Sequence, residues 1–167
     1  MEMLFSLSTV EVWAEQSQSM FEQKVPFENY VNANTFSSRQ YIDDEDFDKQ
    51  KLKVYSIKVL SVEIAWMAVY YISPEIIRIR GLFVKAEFRN LGVMSFLIDQ
   101  IKILYAGKVR RIISFAKESS VAFHEKNQFR IEPKFVPRKA IVFCPETGKP
   151  IYQDLEKIRL MYFDYKS

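Results

Sequence analysis

Residues 76–105 read IIRIRGLFVKAEFRNLGVMSFLIDQIKILY. The first part, Ile76 to Val84, is short and rich in β-branched residues, the composition of a strand. From Val93 onward apolar side chains recur at Val93, Met94, Leu97, Ile98, Ile101, Leu104 and Tyr105. That is the spacing of one face of an amphipathic helix. The loop between them ends in Arg89-Asn90-Leu91-Gly92. A glycine at a helix start lets a ligand approach the backbone closely. The first-turn N–H groups lack intrahelical partners, and the dipole there favours anions. The outline is that of a phosphate cradle, although the chain has neither the GxxxxGK[ST] nor the GxGxxG glycine pattern.

Working outward, Lys51 to Val62 and Glu63 to Ile72 read as two strands, and Ser73-Pro74 as a turn into the strand at Ile76. Three consecutive strands with short connections imply an antiparallel meander. Beyond the helix, Ala106-Gly107 is a stop signal. Val109 to Phe115 is the next strand, and the helical crossover predicts that it lies parallel to a neighbour. Glu118 to Asn127 reads as a short helix. Strands follow at Ala140–Cys144 and Ile158–Tyr165, with the turn Pro145-Glu146-Thr147-Gly148 between them. Towards the N-terminus, Leu4 to Leu7 is a short strand. Ser8 or Thr9 then caps a helix through Val10, Trp13, Ala14, Ser17 and Phe21. A second helix at Phe27–Asn34 and a polar loop at Ser37–Gln50 complete the reading. The class is α+β: a mixed, mostly antiparallel central sheet flanked by helices.

Composition bounds the function. At 167 residues, 49% apolar and 15% aromatic, the chain suits a single packed domain over residues 1–167. Its one cysteine, Cys144, excludes an internal disulfide and a cysteine-based zinc site. The start, MEMLFSLSTVEVWAEQ, lacks the basic region and long apolar core of a secretory signal. The longest apolar run, Ile64 to Ile72, is too short to cross a bilayer. The expectation is a cytoplasmic protein without a membrane partner. Charge is uneven: residues 1–75 hold 6 Lys/Arg against 12 Asp/Glu, and residues 76–167 hold 18 against 9. A basic second half suits an anionic ligand, whether a cofactor or a nucleic acid.

Two segments together carry a family resemblance. Val84-Lys85-Ala86-Glu87-Phe88-Arg89-Asn90-Leu91-Gly92-Val93-Met94 is similar to V-x-P-x-[YF]-[RQ]-x-x-G-x-[GA] following a central strand. Ser120-Val121-Ala122-Phe123-His124-Glu125-Lys126-Asn127-Gln128-Phe129 is similar to A-x-x-[LF]-Y-x-K-x-G-F. In this order the two patterns resemble the GNAT superfamily of acyl-CoA N-acyltransferases, best over Glu63 to Phe129. Three positions depart from it. Met94 stands for the final Gly or Ala, His124 for the usual Tyr, and Gln128 for the Gly before Phe129.

The resemblance implies a sheet whose two central strands splay apart to admit acetyl-CoA as co-substrate. Backbone N–H groups of Asn90, Leu91, Gly92, Val93, Met94 and Ser95 would hold its pyrophosphate, with Arg89 adding charge or bracing the loop. Leu82, Phe83 and Val84 would pair with the pantetheine amides, and Lys117 and Phe123 would line the same path. His124 would protonate the departing thiolate. A carboxylate, Glu63 or less directly Glu87, would take the proton of the attacking amine. The implied reaction is direct acetyl transfer to a primary amine within a ternary complex, with the acceptor unspecified. Two other classes compete. Met94, His124 and Gln128 also fit a catalytically degenerate binding or regulatory module of the same fold. Lys108, Arg110, Arg111, Lys134, Arg138 and Lys139 supply charge for a nucleic-acid-directed acyltransferase or binder.

Overall fold

The computed structural model describes residues 5–13, 51–134, 140–143, 150–153 and 158–166. Strands β1 (Phe5–Trp13), β2 (Lys51–Val59), β3 (Val62–Ser73) and β4 (Ile76–Val84) form a four-stranded antiparallel meander. Helix α1 (Val93–Tyr105) crosses over to β5 (Arg111–Lys117), which lies parallel to β4. A 3-10 turn at Glu118–Ser120 leads into the short helix α2 (Val121–Lys126) and the two-residue β6 (Arg130–Ile131). Strands β7 (Ala140–Phe143) and β8 (Pro150–Gln153) pair as a separate hairpin. The last described strand, β9 (Ile158–Asp164), inserts between β5 and β6, giving the sheet order β1-β2-β3-β4-β5-β9-β6.

The meander, the crossover helix and the parallel β4–β5 pair all lie where the sequence places them. One expectation at the N-terminus is overturned. The helix anticipated after Ser8 or Thr9 is strand as far as Trp13, in register with β2 from Phe5↔Val59 to Trp13↔Lys51. Thr9, Val10 and Val12 are β-branched and stiff at χ1, which favours a pleated ladder once β2 offers a partner. Residues 14–50, including the rest of that helix, the helix at Phe27–Asn34 and the polar loop, lie outside the described residues, as do Cys144 and the turn after it. The two tail strands are real but belong to different sheets.

Helix α1 buries Val93, Met94, Leu97, Ile98, Ile101 and Tyr105 against one sheet face, where Ile57, Ile64, Met67, Ile77, Ile79, Ile112 and Met161 meet it. Each fully buried aliphatic side chain is worth about 1.5–3 kcal/mol of transfer free energy, so this stripe fixes the helix on the sheet. Leu104, expected inside, stays 39% exposed. Tyr105 takes the inward place in that last turn, its hydroxyl 2.9 Å from that of Tyr55. Burial and that contact push the Tyr105 phenol far above its ordinary range. Gly107, at φ 78°, ends the helix as a left-handed residue.

Candidate active site

Beside β3, strand β4 carries one residue too many. Trp66 pairs with Phe83 and Ala68 with Arg80, so Gly81 and Leu82 together oppose Met67. This is a β-bulge whose first residue, Gly81, has the left-handed φ of 64° that glycine tolerates. A bulge bends and twists its strand. On its other side β4 pairs with β5 only at Ile76↔Arg111, Ile77↔Ile112 and Arg78↔Ile113. Beyond Arg78 the strands part, while β5 stays pinned to β9 from Arg111↔Asp164 to Lys117↔Ile158. The sheet is thus split between its two parallel strands.

The split opens a cavity of about 440 Å³. One wall is Arg80 to Val84 of β4, and the other is Ser114, Phe115 and Lys117 of β5. Ser119, Ser120, Phe123 and His124 close it from the α2 side. A second hollow of about 430 Å³ lies at the start of α1, lined by Phe88, Arg89, Asn90, Gly92 to Ser95, and Lys126. Val84, Arg89, Met94 and Phe123 line both, so the two share a boundary and form one trough.

The second hollow is shaped by backbone conformation. Asn90 and Gly92 have φ of 63° and 78°, and Gly92 is the N-cap of α1. The N–H of Phe96 bonds the Gly92 carbonyl at 2.9 Å, so the N–H groups of Val93, Met94 and Ser95 precede the first helical bond. No heavy atom outside its chain neighbours lies within 4 Å of where a Gly92 Cβ would stand. Arg89 braces the loop: its Nε donates to the Val84 carbonyl at 2.9 Å and its guanidinium lies 5.3 Å from the Phe83 ring centre. Asn127 ties α2 to the cradle, donating from Nδ2 to Ser95 Oγ at 3.2 Å and to the Phe123 carbonyl at 2.9 Å. Lys102 Nζ in turn holds the Asn127 carbonyl at 2.6 Å.

His124 is 4% exposed and lines the cavity. Its Nδ1 is 2.8 Å from the Ser120 carbonyl and its Nε2 2.9 Å from Ser114 Oγ. Burial holds the imidazole below its ordinary pKa, against a smaller opposing effect of the Ser120 carbonyl. Burial thus favours the neutral ring.

Of the residues the sequence nominated, Leu82, Phe83, Val84, Arg89, Asn90, Gly92, Val93, Met94, Ser95, Lys117, Phe123 and His124 all line the trough. Two do not. Leu91 is 52% exposed beside it. Glu63 is absent from the lining, and its carboxylate accepts the Trp66 indole N–H at 2.6 Å. Glu87, in the 3-10 turn Ala86–Phe88, is exposed and lines neither hollow. Sequence reasoning missed Arg80, Gly81, Ser114 and Ser120. A glycine inside a β-branched run signals a bulge and could have exposed the split. Ser114 carries no such signal, because its partner sits in another element. Of the basic residues in the second half, Arg110 pairs with Glu75 at 3.1 Å and Arg111 with Asp164 at 2.6 and 2.9 Å. No helix among the described residues is long and apolar enough to cross a membrane.

Comparison with known proteins gives a fold. No family model matches the chain, and no curated protein does. Solved structures match over nearly the whole chain. A GNAT family acetyltransferase from Elizabethkingia anophelis with acetyl-CoA bound is 16% identical, with a TM-score of 0.54 over 95% of this chain and 98% of that one. An acetyltransferase from Bacillus subtilis in complex with CoA is 13% identical, with a TM-score of 0.57 over 96% and 100%. A GNAT family acetyltransferase from Staphylococcus aureus is 12% identical, with a TM-score of 0.53 over 96% and 100%. The split sheet described above is thus the GNAT fold.

Proposed function

We propose that this GNAT-fold chain is an N-acetyltransferase that carries an acetyl group from acetyl-CoA to a primary amine by direct attack in a ternary complex. The observation that carries the reading is the trough. A cleft between parted parallel strands continues into a helix N-terminus whose leading N–H groups precede the first helical bond. Such N–H groups suit a pyrophosphate. The parted edge of β4 at Leu82–Val84 offers main-chain groups to the pantetheine amides, and an N–H there would face the thioester oxygen as charge develops on it. Lys126, lining the cradle, and Lys117, lining the cleft, add positive charge along the path. Relatives in fold that hold acetyl-CoA or CoA support the assignment. The cytoplasm, where a chain with a single cysteine is at home, is the proposed setting.

The test is calorimetric titration with acetyl-CoA of the wild type and of Gly92→Trp, followed by a panel of amines assayed for thiol release. The expected result is micromolar binding that the variant loses, and turnover of at least one amine. Heat from neither protein would sink the reading. A second reading, a binding module without turnover, draws on Met94, which lines both hollows where the family pattern has a smaller residue. It predicts acetyl-CoA binding with no amine turned over, and Met94→Ala tightening that binding.

A further inference from the structure

Resting on the acetyltransferase reading, the inference concerns where its proton goes. A backbone carbonyl can only accept a hydrogen bond, so the 2.8 Å contact to Ser120 O puts the imidazole proton on Nδ1 of His124. The other nitrogen, Nε2, then presents a lone pair, and Ser114 Oγ donates to it at 2.9 Å. The ring is wedged edge-on between Phe123 and Phe129, at centroid distances of 5.6 and 5.5 Å, which fixes its plane. A hydroxyl, a base within hydrogen-bond reach and a third group orienting the base is the arrangement that activates a hydroxyl for proton transfer.

Its location gives it a use. Ser114 is the first residue of β5 after the last one paired to β4, Ile113. It lies on the sheet face it shares with Ile112 and Ala116, both buried in the apolar core against α1. It is 3% exposed and lines the same cleft as Leu82–Val84. A hydroxyl at an otherwise apolar position is thus joined to the only histidine in the chain.

We propose that Ser114 Oγ is the group that meets the reacting nitrogen and sulfur, and that His124 acts through it as the proton store. The amine enters neutral, having lost its ammonium proton to solvent. Its nitrogen forms a bond to the thioester carbonyl carbon and becomes positive. That nitrogen gives a proton to Ser114 Oγ as Ser114 gives its own to His124 Nε2. The carbon–sulfur bond then breaks, and the thiolate takes a proton from Ser114 Oγ as the imidazolium returns one to it. Amide and thiol result, one proton has moved from nitrogen to sulfur, and both side chains end as they began. In this scheme His124 does not touch the sulfur, and a separate carboxylate base such as Glu63 is not required.

One imidazole in the chain makes the test direct. The imidazole nitrogens are observed by ¹⁵N NMR in complexes with CoA and with desulfo-CoA, which lacks the sulfur. The expected result is a Nε2 resonance that differs between the two complexes in the wild type and coincides in Ser114→Ala. With a reactive amine, Ser114→Ala should lower kcat about 100-fold or more while KM for acetyl-CoA stays within about threefold. Ser114→Thr, which keeps the hydroxyl, should recover at least about a tenth of the wild-type kcat. Identical wild-type spectra in the two complexes, an undiminished kcat in Ser114→Ala, or a parallel loss of acetyl-CoA affinity would overturn the relay. Calorimetry separates the levels: no heat with acetyl-CoA defeats the acetyltransferase reading itself, whereas binding with identical spectra defeats the relay alone.

Discussion

Gly92 and Gly107 share a φ of 78° and open space where a side chain would stand, yet only one of them borders the trough. Placing an alanine in that conformation costs about 1–2 kcal/mol. Gly92→Ala and Gly107→Ala should therefore lose similar stability in urea, while only Gly92→Ala weakens acetyl-CoA binding. Equal binding by both variants would remove the cradle from Gly92. His124 links the site to pH in a second way. Its folded pKa is depressed, so the unfolded chain takes up the proton first as pH falls. The stability of the neutral, hydrogen-bonded ring is complete above its ordinary pKa of 6.5 and is lost as pH drops through the lowered folded value. The urea midpoint should fall as pH drops below 6.5, and His124→Gln should flatten that part of the curve. The cradle was legible because a left-handed backbone leaves a glycine in the sequence. Ser114 was not, since its chemistry comes from a histidine ten positions on, and neither was the indole that engages Glu63, because a carboxylate in a strand says nothing of it.

The β4 bulge at Gly81–Leu82 lies just beyond the last β4–β5 pair, where the site opens. Gly81→Val should strain the left-handed position by about 1–2 kcal/mol and favour a straighter strand. A straighter β4 stays closer to β5, so acetyl-CoA affinity should fall by more than the small stability loss would suggest. Wild-type affinity in this variant would mean that the split does not need the bulge. β-branched composition and short connections made the meander readable, and periodicity made α1 readable, because Leu97 and Ile101 repeat with the helical turn. The same reasoning failed at Ser8–Trp13. A cap-like serine or threonine followed by spaced apolar residues fits a helix locally, and only a partner strand arriving some forty residues later decides otherwise.

Across the whole molecule, one core under α1 holds both sides of the split: Ile77 and Ile79 from β4, Ile112 and Ala116 from β5, and Met161 from β9. Leu97 sits fully buried at its centre. Leu97→Ala should cost about 2–5 kcal/mol, read as a lowered urea midpoint with an unchanged slope. Charge polarity was visible from the sequence, but its use was not. Arg110 and Arg111 face acids that come from a turn and from the last strand, contacts that composition does not reveal.

The wall of the cleft furthest from β4 is fastened by β9, whose seven residues run alongside β5 through Lys117. During synthesis a ribosome therefore releases the meander, α1 and β5 well before residues 158–164 appear. Until they do, β5 has its short ladder to β4 on one side and an open edge on the other, and such an edge invites wrong pairing. The wall that Ser114, Phe115 and Lys117 form is thus secured last, by a strand that lends no residue to the lining.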